Sequence, residues 1–123
     1  GECDEGSVWE AAMTASHYRL ANIVAVIDRN RLQYDGNTEE VLALTDFSAK
    51  WKAFGWDVVT VDGHDVQALK EAFRMHTEKP LAVIAETVKG KGFSFMENKP
   101  QWHNGIVTQR LYEQGMAEVE AVE

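Results

Sequence analysis

A single cysteine in 123 residues, Cys3, excludes an internal disulfide and a thiolate-built metal cluster, and it suits a reducing cytosol. Set between Glu2 and Asp4, it lacks the electropositive surroundings that make a thiol nucleophilic. Basic residues are also scarce: 12 Lys and Arg face 20 Asp and Glu, a formal net charge of −8. The cations are scattered rather than massed, which argues against a nucleic-acid backbone or an anionic membrane surface as partner. No apolar run approaches the length of a membrane span, and no signal-like leader is recognisable. The expectation is a soluble, cytoplasmic chain. Repeats, low-complexity tracts and internal linkers are missing too, so residues 1–123 read as one domain at most, large enough to bury a core.

What is present concentrates in the first 36 residues. They open with glycine and acid, the composition of a tight turn where backbone approaches a ligand closely. Ser7 followed by Glu10 predicts a capping box at a helix start. Trp9, Ala12, Met13, Ser16 and Leu20 recur at helical spacing, and Ala11, Ala12, Ala15 and Ser16 are small enough to bring that helix close to its support. Residues 23–27 form an uninterrupted apolar run, which suits a strand buried on both faces of a parallel sheet. The run ends abruptly in Asp28-Arg29-Asn30. A Gly-rich turn feeding a helix presents a helix N-terminus to an anion, and the carboxyl end of a strand is where ligands of open α/β sheets sit. An amide and backbone oxygens there suit a hard divalent cation held together with phosphates. By themselves these residues support a nucleotide-like or diphosphate ligand, or an ordinary βα unit with a polar strand end.

Further on, Asp35-Gly36 predicts a turn, and an extended segment is expected over residues 39–44. Asp46 is a helix-cap type; Phe47, Lys50, Trp51 and Phe54 then fall at helical spacing, with Gly55 as the stop. Three aromatics on one helix face admit a cofactor-stacking role, but such a stripe is more often core or interface. Residues 56–61 predict a second strand, and Asp65 caps a helix whose expected buried row is Val66, Leu69 and Phe73. His64 stands at that strand's carboxyl end, where a site would be, although Gly-His-Asp before a helix is also turn-and-cap chemistry. His76, beyond that helix, reads as a surface residue. A third apolar strand follows Pro80 over residues 81–88. Strands separated by helices give an α/β fold, a parallel sheet with flanking helices. Next come Lys89-Gly90-Lys91-Gly92 and an irregular segment through Gly105, whose length, glycines and position argue for function. A helix over residues 107–122, capped by Thr108, is expected last.

The opening run from Gly1-Glu2-Cys3-Asp4-Glu5-Gly6 through Ser7-Val8-Trp9-Glu10, with Asp28-Arg29-Asn30-Arg31-Leu32-Gln33 and Asp35-Gly36, resembles the thiamine-diphosphate motif of the transketolase family. Thr87-Val88-Lys89-Gly90-Lys91-Gly92 and Trp102-His103 extend the resemblance over nearly the whole chain. The family motif opens Gly-Asp-Gly and Gly1 matches its second glycine, so the chain is expected to be truncated upstream and to form a partial thiamine-diphosphate-binding fold. The resemblance implies Mg²⁺ ligation by the Asn30 side-chain oxygen and the Leu32 carbonyl, and an approach of Gly1 to the diphosphate. It implies cofactor-binding and catalytic roles for Glu5, which with Glu10 would join a carboxylate network linking two active sites. His103 would face the diphosphate and the substrate and assist proton transfer. The implied protein is a dimeric transferase that moves a two-carbon ketol unit between sugar phosphates, using thiamine diphosphate and Mg²⁺ and a pyrimidine-binding partner subunit or domain. Two alternatives stand beside it: a deoxyxylulose-phosphate synthase-like enzyme, and a non-catalytic α/β module. The chain alone is expected to be inactive, to bind the cofactor weakly, and to form a homo-oligomer through exposed sheet edge and face.

Overall fold

Residues 81–85 are buried without exception, and this apolar stretch becomes the central strand of the sheet. The structure is a computed structural model that describes residues 1–75 and 77–121. In chain order its elements are α1 (Gly6–His17), β1 (Val24–Arg29), the hairpin strands β2 (Leu32–Gln33) and β3 (Gly36–Asn37), α2 (Thr38–Val41), α3 (Phe47–Ala53), β4 (Asp57–Asp62), α4 (Val66–Phe73), β5 (Leu81–Glu86) and α5 (Gln109–Glu120). Single 3₁₀ turns occupy Glu2–Asp4 and Pro100–His103. The main sheet is parallel and ordered β1-β5-β4, with Val26 and Val59 both opposite Val83. An α/β fold with a parallel sheet and flanking helices is therefore what forms.

Alternation along β5 sends Ala82 and Ile84 to one face and Leu81 and Val83 to the other. The first face carries α1 and α3. Ala12 and Ala15 let α1 come close, and the Trp56 indole N–H donates to the Ala12 carbonyl at 2.9 Å. Trp51 sits between Trp9, at 5.3 Å between ring centres, and Trp56, at 5.0 Å. The aromatic stripe of α3 is thus core, and burial of each such ring contributes several kcal/mol at roughly 25 cal/mol per Å². The second face carries α4, which sets the small Ala72 against Leu81 and Val83.

Several expectations need correction. Among the described residues the 23–27 run is not buried on both faces: β1 lies at the edge of the sheet, and Val24 (42% exposed) and Val26 (54% exposed) lie bare on the α4 side. One short helix spans β4 and β5 and leaves β1 uncovered. On α4, Val66 and Phe73 are exposed because the close approach is made at Ala72 instead. No Ser7 capping box forms, since α1 begins at Gly6 with Glu5 at its N-cap and no side-chain cap bond. The expected extended segment at residues 39–44 opens as the helical turn α2, where the Asn37 side chain accepts from the Glu39 amide at 2.9 Å. Asp46, Asp65 and Thr108 do cap α3, α4 and α5. His76 lies outside the described residues.

Candidate functional site

The carboxyl ends of the three strands converge, as the parallel topology requires. β1 runs out at Asp28 and Arg29, and each meets a different fate. The Asp28 carboxylate accepts from the Thr87 hydroxyl beyond β5. Arg29 is buried, and its guanidinium donates to Thr38 Oγ1 at 3.0 Å and to Glu39 Oε1 at 2.6 Å while standing 5.5 Å from the Phe47 ring centre. A buried charge is tolerable only when paired in this way. In return the Arg29 guanidinium, with the Thr45 amide, holds the Glu39 carboxyl below its ordinary range. Strand end, α2 and the start of α3 are thereby locked together.

Above this lock the chain turns sharply. Arg31 adopts a left-handed backbone, φ 63°, a conformation that costs a non-glycine residue roughly 1–2 kcal/mol. Asn30 holds it there by accepting from the Leu32 amide through Oδ1 at 2.9 Å, an Asx turn. The Thr38 amide donates to the Arg31 carbonyl at 2.9 Å. The alternation of an antiparallel ladder then places Leu32 at a non-hydrogen-bonded position opposite Asn37, with its carbonyl turned away from β3. Asn30 and Leu32 therefore offer two neutral oxygens at one turn. Strain held by a local bond of this kind is characteristic of ligand-holding turns.

That turn forms one wall of a cavity of about 740 Å³. Gly1, Asn30, Leu32 and His103 all line it, so four of the five sequence-proposed site residues come together. His103 arrives on the Pro100–His103 turn, exposed at the rim and edge-on to Tyr34 at 5.7 Å between ring centres. Glu5 does not line the cavity: it is exposed at the α1 N-cap, because the 3₁₀ turn Glu2–Asp4 comes between it and Gly1. The N-terminus of α1 likewise lies outside it, with Gly1, Glu2, Cys3 and Val8 on the wall in place of Gly6 and Ser7. Cys3 is half-buried, and burial pushes its thiol up, against the pull of the amino terminus.

Two lining residues were not singled out from sequence. Lys89 brings a cation to the wall on the first residues after β5, its carbonyl accepting from the Asn98 amide at 3.0 Å. Its place in Lys-Gly-Lys-Gly was the available signal. Gln33 Oε1 is buried beside Gly1 with no hydrogen-bond partner in the structure. Ile27, Leu44, Phe47 and Trp51 line the cavity as apolar floor. A lining that combines Lys89, polar residues and hydrocarbon suits an amphipathic molecule with an anionic end.

Comparison with known proteins gives the family. Residues 1–116 match the family described as transketolase, thiamine diphosphate binding domain. The chain belongs to this transketolase family. It is 46% identical over 122 residues to an apulose-4-phosphate transketolase subunit of Phocaeicola vulgatus, covering 97% of the chain and 43% of that protein. It is 43% identical over 124 residues to a 6-deoxy-6-sulfo-D-fructose transketolase subunit of Clostridium sp., covering 98% of the chain and 45% of that protein. The chain thus spans less than half the length of these transketolase relatives. A transketolase crystal structure from Campylobacter jejuni superposes with a TM-score of 0.87 at 23% identity, over 98% of this chain and 19% of that one, a likeness of fold.

Proposed function

We propose that this chain is one part of the diphosphate-binding domain of a transketolase, and that its cavity takes the diphosphate end of thiamine diphosphate together with a divalent cation. The observation that carries the reading is the Asn30 turn. Its left-handed backbone at Arg31 brings Asn30 and Leu32 to the wall of a cavity that Lys89 and His103 also line. Hard divalent cations prefer oxygen ligands and complete their shell with phosphate oxygens and water. Among the described residues no cluster of three or more acidic, His or Cys side chains offers an all-protein metal cage. The donor set therefore fits a cation shared with a bound diphosphate, with Mg²⁺ the hard cation of choice.

Within this reading Asn30 and Leu32 hold the cation, Lys89 offsets diphosphate charge, and the backbone at Gly1 approaches the phosphates. His103, exposed at the rim, is placed to hold or move a proton on a substrate hydroxyl. Glu5, at the α1 N-cap, would act only through a contact with a partner. Bound thiamine diphosphate supplies the electron sink for breaking a carbon–carbon bond beside a carbonyl. The whole protein would transfer a two-carbon ketol unit between sugar phosphates, working with a pyrimidine-binding subunit and as a dimer in the cytoplasm. Relatives named as transketolase subunits support a split form over a deoxyxylulose-phosphate synthase. The bare side of β1 supports a partner-covered face.

The test uses the full-length protein with its partner subunit. Calorimetry with thiamine diphosphate and Mg²⁺ should show binding, and Asn30→Ala should weaken it at least about 10-fold, the lower range for damage to a metal's ligand shell. Equal affinity in the variant, or no binding in the parent, sinks the cofactor reading. Absence of ketol transfer from xylulose 5-phosphate to ribose 5-phosphate counts against the activity as stated.

A further inference from the structure

His64 takes no part in the cavity wall, yet it touches the segment that leads to it. The β4 strand ends at Asp62, whose carboxylate accepts from the His64 amide at 2.8 Å and so fixes the Gly63-His64 turn. The Gly63 amide donates to the Glu86 carbonyl at 2.7 Å. A side chain at Gly63 would stand 2.4 Å from Thr87 Cγ2 and 3.0 Å from the Glu86 carbonyl oxygen, so the turn lies flat on the end of β5. From this position the His64 imidazole reaches over, and its Nε2 accepts from the Val88 amide at 2.7 Å.

On the opposite side, β1 grips the same residues. The Thr87 amide donates to the Arg29 carbonyl at 3.4 Å, and the Thr87 hydroxyl donates to Asp28. β5 ends at Glu86, and just beyond it the Thr87 amide goes to β1 while the Val88 amide goes to His64. The next residue is Lys89, the cation of the cavity wall, and the turn closes as the Lys91 amide donates to the Val88 carbonyl at 3.1 Å.

We propose that His64 is a positioning residue, whose Nε2 fixes the Val88 amide and through it holds Lys89 against the cavity. The role rests on the cofactor reading above only in what Lys89 binds; the clamp itself is a property of the cofactor-free chain. An acceptor is required at the place of Nε2, further from the backbone than the oxygen of an asparagine side chain reaches. Glutamine supplies an oxygen near that place, and phenylalanine fills the volume with no acceptor. His64 is exposed, so none of these replacements disturbs the core.

In the full-length protein with its partner, His64→Phe and His64→Asn should speed hydrogen exchange at the Val88 amide by about 5-fold in the absence of cofactor, the size of one net hydrogen bond. His64→Gln should restore most of the protection. Affinity for thiamine diphosphate with Mg²⁺ should fall by a similar factor in His64→Phe and His64→Asn and recover in His64→Gln, with kcat at saturating cofactor unchanged. Unaltered Val88 exchange in His64→Phe, or His64→Gln behaving like His64→Asn, overturns the proposal. If the parent protein fails to bind thiamine diphosphate, the functional reading fails, and the exchange measurements still decide the role of His64.

Discussion

The sheet with its helices and the loop that follows it are held by different forces. In the body, α1 and α3 close over Ala82 and Ile84 with a cluster built from Trp9, Phe47, Trp51, Phe54 and Trp56, and the stabilisation is apolar area removed from water. Residues 87–108 bury little. They are pinned by single polar contacts: the Ser94 amide and hydroxyl donate to Glu118 on α5 at 2.8 and 2.5 Å, Lys99 Nζ donates to the Phe95 carbonyl at 3.0 Å, and the Trp102 indole donates to the same carbonyl at 2.7 Å. A small ring cluster of Phe93, Phe95 and Trp102 backs these pins. The body therefore sets whether the chain is folded, and the loop sets where Lys89 and His103 stand. Segments with few buried apolar contacts open locally at lower cost than the core, which is the usual source of adjustable site loops.

The largest effect should come from the body. Trp51→Ala removes the middle ring of the aromatic cluster and should destabilise the fold by about 3–5 kcal/mol, read as a shifted denaturation midpoint. A cost near zero would mean that the cluster is not the core. Gly90→Ala tests the loop on its own. Gly90 has φ 71°, and an added Cβ would stand 2.6 Å from Met96 Cβ and 2.8 Å from the Met96 backbone. We expect a loss of more than about 1 kcal/mol, with hydrogen exchange faster over residues 88–98 and unchanged in β5. Equal loss of protection in β5 would erase the distinction between the two regions.

The smallest effect concerns pH. The Ser94 hydroxyl first, then Gln114 and the Ser94 amide, hold the Glu118 carboxyl below its ordinary 4.5. A carboxylate depressed in the folded state stabilises the pinned loop fully above that ordinary value, and the contribution disappears as pH falls through the folded one. Exchange at the Ser94 amide should accelerate over that acid window while β5 stays protected. Glu118→Gln should abolish the acceleration; persistence of the pH dependence in that variant would assign the pin elsewhere.

Much of this was legible in the residues themselves. Asp46, Asp65 and Thr108 cap helices because a short side-chain oxygen before an apolar row has one obvious use. Asn30, Leu32 and His103 were found through the family motif, and they meet at one cavity. The rest depended on distant segments. The apolar run at residues 23–27 reads alike for a central or an edge strand, since what covers its second face is decided by α4, far along the chain. Arg29 looked like part of a polar strand end, and its burial became possible only because Thr38 and Glu39 return to meet it. Glu5 shows how far local structure can shift a matched residue. A 3₁₀ turn of three residues separates it from Gly1 and leaves it off the cavity wall, a place that sequence matching alone does not show.

The placement of β5 between β1 and β4 has a consequence for how the chain is made. Among the described residues β1 and β4 do not pair with each other, and each pairs with β5, which is made after both. Asp28 is synthesised 59 residues ahead of Thr87, whose hydroxyl it accepts from. At roughly 5–20 residues per second that interval lasts about 3 to 12 seconds, and only its last part, after β4 is made, finds both strands awaiting β5. A break in translation before Leu81 would leave β1 and β4 without the strand that pairs with both.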